Sequence, residues 1–391
     1  MGMMGQVPTY TQLPFPLTEG HGALVYDDAG REYWDFYGGH AVAVLGHSHP
    51  DVAEALCAQA SQLAFYSNVA AMPLRDAAAQ ALCAFAPEPL KHVFFCNSGA
   101  EANENALKTA IQQTGRKRIA ALKGAFHGRT LLALAATDNP KLQAPLAGLL
   151  CPTLRLEPND ISAVGQIDES IAAVIVEPVQ SMAGVIELTG PYLQALRKRC
   201  DEVGALLIYD EVQTGFGRLG RNFAAGEHGV VPDMVTLAKG IANGVPMGAV
   251  LFRHAVAEKI QLNDLGSTFG GNPLACAGLQ IVLETMQRNK LVQRAQQLGQ
   301  RMHERLAVGP VTEVIGRGCL IGLRTPRGAK WLYEKLLQRG FITGTSGDPS
   351  ILRLLPSLIL PFDAIEELRE SLLAIEAEES GAKASALAQC A

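Results

Sequence analysis

Three short stretches of this 391-residue chain carry residues whose types and positions could do chemistry. In VTLAKGIANG, residues 235–244, an apolar run ends in Lys239 set against a glycine. An ammonium group at the end of a buried strand is costly unless it is paired or gives up its proton, and a lysine that gives up its proton is a nucleophile. In LLIYDEVQTGFG, residues 206–217, Asp210 and Glu211 stand at the C-terminal end of another apolar strand. Open α/β sheets take their ligands at that end, and one of the two carboxylates must point inward, where it needs a positive partner. In NSGAEANENALK, residues 97–108, a strand gives way to a helix. The N–H groups of Ser98, Gly99 and Ala100, with the positive end of the helix dipole, form a natural phosphate cradle; taken alone, the stretch is better explained by Asn97 or Ser98 acting as an N-cap.

These stretches need a scaffold that brings strand ends together. From about residue 91 to 252, the β-rich runs HVFFCN, KRIAALKG, AAVIVEP, ALLIYDE, MVTLAKG and GAVLFR alternate with the helical patterns AEANENALKTAIQQT and PYLQALRKRCDEVG. That alternation predicts an α/β fold with a mostly parallel sheet covered by helices. Beyond it, GGNPLACAGLQIVLETMQ and LVQRAQQLGQRMHERL read as helices, GCLIGLR and ILRLLP as strands, and FDAIEELRESLLAIEAE as a last helix. Near the N-terminus, ALVYDDAGREYWDF reads as a hairpin turning at D-A-G. The expected layout is a large domain over 61–271 and a smaller α+β domain built from both termini. Residues 9–60 supply the smaller domain's N-terminal part, and 272–378 supply a connecting helix and its C-terminal part. Residues 379–391 are read as a frayed tail.

Composition excludes several classes of function. With 48% hydrophobic and 18% charged residues, a net charge of -5 and no dense Lys/Arg block, the chain offers no nucleic-acid surface. MGMMGQVPTY has neither the basic nor the apolar region of an export signal, and no apolar run reaches the roughly 18 to 20 residues that span a bilayer. A soluble cytoplasmic protein acting on small molecules is expected, with no membrane partner. The eight cysteines (57, 83, 96, 151, 200, 276, 319 and 390) show no C-x-x-C pairing, which suits a reducing compartment. GFGRLG, residues 215–220, is a literal G-x-G-x-x-G, but no helix follows it and no acid falls about 20 positions on, so it reads as a tight ligand-lining loop. His47 and His49 in GHSHP lack a third ligand, so no metal is expected, and His127 reads as a local hydrogen-bonding group.

A lysine, a carboxylate at a neighbouring strand end and a phosphate cradle are the three handles of pyridoxal 5'-phosphate. Lys239 would bond its aldehyde, Asp210 would keep its ring nitrogen protonated, and Ser98, Gly99 and Ala100 would hold its phosphate. The ordered set NSGAEAN, GAFHGRT, VIVEPVQ, LLIYDEVQTGFGR, LAKG, GSTFGGNPLACA and LRLLP resembles the class III (ornithine-type) aminotransferases, most closely their acetylornithine branch, from about Tyr10 to the last helix. The resemblance implies a fold-type I, pyridoxal-phosphate-dependent transferase. It implies that Phe126 stacks on the cofactor ring, where simple core packing is the plainer alternative, and that Gln213 bonds the ring's 3-oxygen. Thr268 would reach the phosphate of a neighbouring subunit, making the active unit a homodimer with shared active sites.

Among substrate contacts, the resemblance places Tyr10, Arg129, Glu177, Ser267 and Arg353, with Arg129 and Arg353 each gripping a carboxylate. It implies transfer of the side-chain amino group of N-acetylornithine, or a similar N-acylated diamino acid, to 2-oxoglutarate, as in arginine biosynthesis. Ornithine, 4-aminobutyrate or another diamine as donor, and a catalytically idle scaffold subunit, are the alternatives. Three positions depart from the family pattern. QSMAG, residues 180–184, has Met182 where relatives carry a glutamate that pairs with the arginine matching Arg353; His40 replaces an apolar residue or tyrosine; and Ala70 and Ala71 replace an aromatic pair. Arg353 is therefore expected to be more permanently available to carboxylates, and all three changes are expected at the substrate entrance.

Overall fold

The six strands read from the sequence, joined by one more, lie side by side in a seven-stranded sheet ordered 90–96, 248–253, 234–237, 206–210, 171–176, 118–122 and 153–156. The computed structural model describes residue 5 and residues 7–389, with backbone alone for 382–389. Gly248–Arg253 runs antiparallel to both its neighbours, while the strands from Met234–Leu237 across to Thr153–Leu156 are mutually parallel. Ile171–Val176 is buried at every residue, which is why it reads as an unbroken apolar run: helices cover both faces of the sheet. The added strand, Thr153–Leu156, escapes the sequence pattern because it is a four-residue edge strand, mostly half-buried and carrying an arginine.

The covering helices begin and end where their caps dictate. Gly99–Thr114 starts at Ser98, whose hydroxyl accepts from the Glu101 N–H, and stops at Gly115 in the left-handed region. Gly190–Val203 stops in the same way at Gly204. In register, Asp210 lies opposite Thr236, so the chain leaving Met234–Leu237 brings Lys239 to the same sheet edge as Asp210.

Two four-stranded sheets flank this core. One joins Leu17–His21, Leu24–Asp27 and Glu32–Asp35 to Phe341–Ile342, with Phe341 paired to Trp34, so the two terminal regions meet as read. Its D-A-G turn forms as expected: Gly30 takes φ 78, and the Asp27 carboxylate accepts from the Ala29 and Arg31 N–H groups. The other sheet holds Glu313–Arg317, Leu320–Arg324, Gly344–Thr345 and Ile351–Leu354, the last carrying Arg353. The closing helix, Phe362–Gln389, runs past residue 378, where the sequence reading starts a frayed tail. The alanines of AKASALAQ have high helix propensity, which favours continuing the helix. Among the described residues, no helix is long and apolar enough to cross a membrane.

The G-x-G-x-x-G stretch works as a clamp. Arg218, buried to 1% exposure, donates to the carbonyls of Cys319 and Pro356 and reaches that of Ala41 at 3.5 Å, so one guanidinium joins three distant chain segments. Its glycines serve this packing. Gly217 has φ 80, and a Cβ there would meet Met286 and Leu358 side chains at 2.8 and 2.9 Å. Replacing Arg218 with Met would strand these carbonyls. Urea unfolding of the variant is expected to show a loss of about 3 kcal/mol, and a loss below about 1 kcal/mol would contradict the clamp.

Candidate active site

A cavity of about 500 Å³ opens at the C-terminal ends of Leu206–Asp210 and Met234–Leu237. Lys239 stands on its wall with φ 45, a left-handed conformation uncommon outside glycine and typical of functional sites. A Cβ on the following Gly240 would lie 2.6 Å from Val44, so only glycine lets the chain pass there. The Lys239 amine donates to no group among the described residues. Burial pushes its pKa down to about 8, against the pull of the Asp210 and Glu177 carboxylates and with help from the Arg353 and Arg218 cations.

Asp210 is held by a web of donors. One oxygen accepts from His127 Nδ1 at 2.8 Å and Asn103 Nδ2 at 2.7 Å, and the other from the Val212 N–H at 3.0 Å. Asn103 in turn donates to the His127 carbonyl and accepts from the Thr236 hydroxyl. Glu211, by contrast, turns away from the cavity. It accepts from the Ala224 and Ala225 N–H groups and the Thr214 hydroxyl, and burial lifts its pKa to about 7 despite those bonds. Both carboxylates of the pair are thus buried, where the sequence reading required only one to be.

Glu177 accepts from the Phe126 N–H at 2.9 Å. Burial raises its pKa to about 7, with the Asp210 carboxylate adding to the rise and His127, the Phe126 N–H and Lys239 opposing it. Ser98, Gly99 and Ala100 line the same cavity, and a Cβ on Gly99 would sit 2.9 Å from both Val212 methyls. Phe126 and Gln213 are also on the wall, and the Gln213 side-chain oxygen is buried without a partner. At the rim, Arg129 and Tyr10 are both exposed, with the guanidinium 5.8 Å from the centre of the tyrosine ring.

Ten of the thirteen residues expected at the site therefore line one cavity, and three lie off its wall. Arg353 is buried nearby, donating to the Thr345 carbonyl at 2.8 Å and the Ser181 hydroxyl at 2.9 Å. Ser267 accepts from Asn97 and the Gly270 N–H, and Thr268 is exposed. The 215–220 loop is also absent from the wall, which corrects its reading as a ligand-lining loop. His47 bonds Asp35 at 2.7 Å, and among the described residues no group of three or more His, Cys, Asp and Glu is placed to hold a metal.

The departures separate in space. Met182 lines a neighbouring cavity of about 440 Å³ that shares Phe126 with the first, whereas Ala70 and Ala71 line neither. Sequence reasoning missed Asn103, Val212 and the Gly244–Met247 loop. A polar residue among Ala102, Ala106 and Leu107 on the buried face of its helix was the available signal for Asn103.

Residues 6–375 match the aminotransferase class-III family. The acetylornithine aminotransferase of Methanopyrus kandleri is 43% identical, over 92% of this chain and 93% of its own. The LysW-aminoadipate semialdehyde/glutamate semialdehyde transaminase of Sulfolobus acidocaldarius is 37% identical, over 95% and 98%. A crystal structure of ornithine aminotransferase from Toxoplasma gondii, with its active site partly occupied by pyridoxal phosphate, aligns with a TM-score of 0.88 and 30% identity over 94% of this chain and 92% of that one.

The cofactor of these enzymes, pyridoxal phosphate, fits the residues present. An unbonded amine, a buried carboxylate fixed by donors, a Gln213 amide that makes no hydrogen bond among the described residues and a helix start cleared by a glycine line one cavity. Only a neutral amine bonds an aldehyde. With Lys239 at about 8, uptake of pyridoxal phosphate by cofactor-free protein should speed up about tenfold from roughly pH 7 to 9 and then level off. Stopped-flow absorbance checks this; a rate still climbing steeply above about pH 10 would mean an ordinary lysine.

Proposed function

We propose that this chain, which belongs to the class-III aminotransferase family, moves the side-chain amino group of N-acetylornithine or a similar N-acylated diamino acid to 2-oxoglutarate, giving a semialdehyde and glutamate. The observation that carries this reading is the unbonded Lys239 amine at the cavity wall beside Asp210, with one exposed arginine at the rim. The choice of donor is supported by similarity to the acetylornithine aminotransferase of M. kandleri.

Pyridoxal phosphate, when bound, supplies an aldehyde that holds the amino group and a ring that draws electrons from the substrate carbon. Ser98, Gly99 and Ala100 would hold its phosphate on N–H groups left free at the start of their helix, with Thr268 contributing from a second copy of the chain. Asp210, held in place by three donors, would hold the proton of the ring nitrogen. Phe126 and Val212 would flank the ring, and Gln213 would bond its oxygen. Lys239, neutral above its lowered pKa, takes the proton from the substrate's amine-bearing carbon. Arg129, backed by Tyr10, grips the donor's carboxylate, and Arg353 serves the acceptor's distal carboxylate. Glu177 fixes the Phe126 backbone beside the substrate, with Ser267 ordering Asn97 behind it.

A homodimer in a reducing cytoplasm, serving arginine biosynthesis, belongs to the same reading. Its support is that the seven described cysteines are all free thiols and that Thr268 is exposed and off its own chain's cavity. The open rim favours a second possibility for the acyl group. Tyr10 is 75% exposed, so whatever substituent the donor carries beyond Arg129 would meet solvent, and a bulky or carrier-linked acyl group would be tolerated. The LysW-dependent transaminase among the relatives is consistent with this.

A panel of N-acetylornithine, N-acetyllysine, ornithine and 4-aminobutyrate, each with 2-oxoglutarate and with glutamate release as readout, tests the reading. N-Acetylornithine should exceed ornithine in kcat/KM by at least about tenfold. A preference for ornithine or 4-aminobutyrate would overturn the donor assignment, and no turnover from any donor would point to an idle scaffold.

A further inference from the structure

The turn from Tyr37 to Ala41 carries His40 close to both cations of the site. Gly38, Gly39, His40 and Ala41 all have left-handed φ values, 56, 55, 73 and 64, although only two of them are glycines. The Asp35 carboxylate holds this turn by accepting from the N–H groups of Tyr37, Gly38 and Gly39. The His40 ring is then fixed by a 2.8 Å bond between its Nδ1 and the Tyr37 hydroxyl. Burial, reinforced by Lys239 and Arg353, pushes the imidazole down to about 3, so the ring is neutral at any working pH.

Arg353 also lies against Tyr37, its guanidinium carbon 5.9 Å from the ring centre, and phenol and guanidinium influence each other's proton affinity. Among the described residues, no carboxylate lies within ion-pair range of Arg353. Its bonds go to a carbonyl and a hydroxyl, Thr345 and Ser181. A tyrosine hydroxyl has one proton and two lone pairs. A cation beside it repels the proton and attracts the lone pairs, and the neutral imidazole nitrogen 2.8 Å away accepts the proton. The three groups therefore have one mutually favourable arrangement, in which the Tyr37 proton lies on His40 Nδ1 and its oxygen faces Arg353. Met182 takes no part: it lines the neighbouring cavity, and its thioether carries no charge to pair with Arg353.

We propose that His40 is a positioning residue for the acceptor: by taking the Tyr37 proton it turns the Tyr37 oxygen toward Arg353, holding a buried guanidinium in place, free of any direct ion pair, for one end of a dicarboxylate. This rests on the reading of 2-oxoglutarate as the acceptor. It makes selectivity between the two half-reactions a property of His40 and Tyr37, residues that need not touch either substrate.

The test uses pyridoxal-phosphate-loaded enzyme carrying His40→Phe, Tyr37→Phe or His40→Asn. The first two should raise KM for 2-oxoglutarate about tenfold, with a smaller fall in kcat and no change in KM for the amino donor. Calorimetry should show glutarate, which cannot react, binding more weakly by the same factor. His40→Asn should restore both values to within about threefold of wild type, because asparagine tolerates the left-handed backbone and its side-chain oxygen can take the same proton. Equal rises in KM for donor and acceptor, unchanged glutarate affinity in Tyr37→Phe, or no rescue by asparagine would overturn the proposal. Tyr37→Phe leaves the turn's backbone intact and decides the matter if His40→Phe folds poorly. Wild-type turnover with 2-oxoglutarate tests the functional reading separately, while the glutarate measurement tests the relay whichever acceptor the enzyme uses.

Discussion

A lysine amine taken out of water must be neutralised, paired or bonded, and the architecture of this protein is arranged around that constraint at Lys239. Desolvation outweighs the attraction of Asp210 and Glu177, and the cations Arg353 and Arg218 push in the same direction as burial, so the amine exchanges its proton near pH 8. Glu177, in the same surroundings, moves the opposite way, to about 7. One environment thus draws a base down and an acid up until both can change protonation near neutrality, as proton-transfer chemistry requires. Asp210 is held in a fixed place on the wall by its three hydrogen-bond donors.

The two arginines assigned to carboxylates meet opposite conditions. Arg129 is solvated at the rim and stacked near Tyr10, so a ligand there displaces water and gains a bidentate contact of modest strength. Arg353 is buried among neutral oxygen atoms, and an unpaired buried guanidinium gains most when an anion arrives. Under the proposed assignment an ordering of substrates follows from this contrast: the rim would recognise donors with latitude in what lies beyond the carboxylate, while the interior would demand a charge of the right sign at the right depth.

Much of this was legible in the sequence, because it depends on local signals. Apolar runs alternating with helical patterns predict six of the seven strands of the main sheet, and the strand-end positions of Lys239, Asp210 and Ser98 bring all three to one cavity. What stayed hidden depends on contacts between residues far apart in the chain. GFGRLG looked like a ligand loop because its glycines allow tight turns, yet those turns serve to bury Arg218 against Cys319 and Pro356. His127 was read as a local hydrogen-bonding group, and only the fold reveals that its partner is Asp210. The absence of a glutamate at 182 was plain in QSMAG, but no sequence pattern could show that Ser181 and the Tyr37–His40 pair stand around Arg353 instead.

The central claim is that Lys239 is the residue that bonds the cofactor. Borohydride reduction of the pyridoxal-phosphate-loaded enzyme, followed by proteolysis and mass spectrometry, tests it directly by fixing the cofactor to whichever lysine holds it. The account predicts a stoichiometric pyridoxyl label on the peptide containing Lys239. A label on another lysine, or none in enzyme that retains the cofactor's colour, would contradict it.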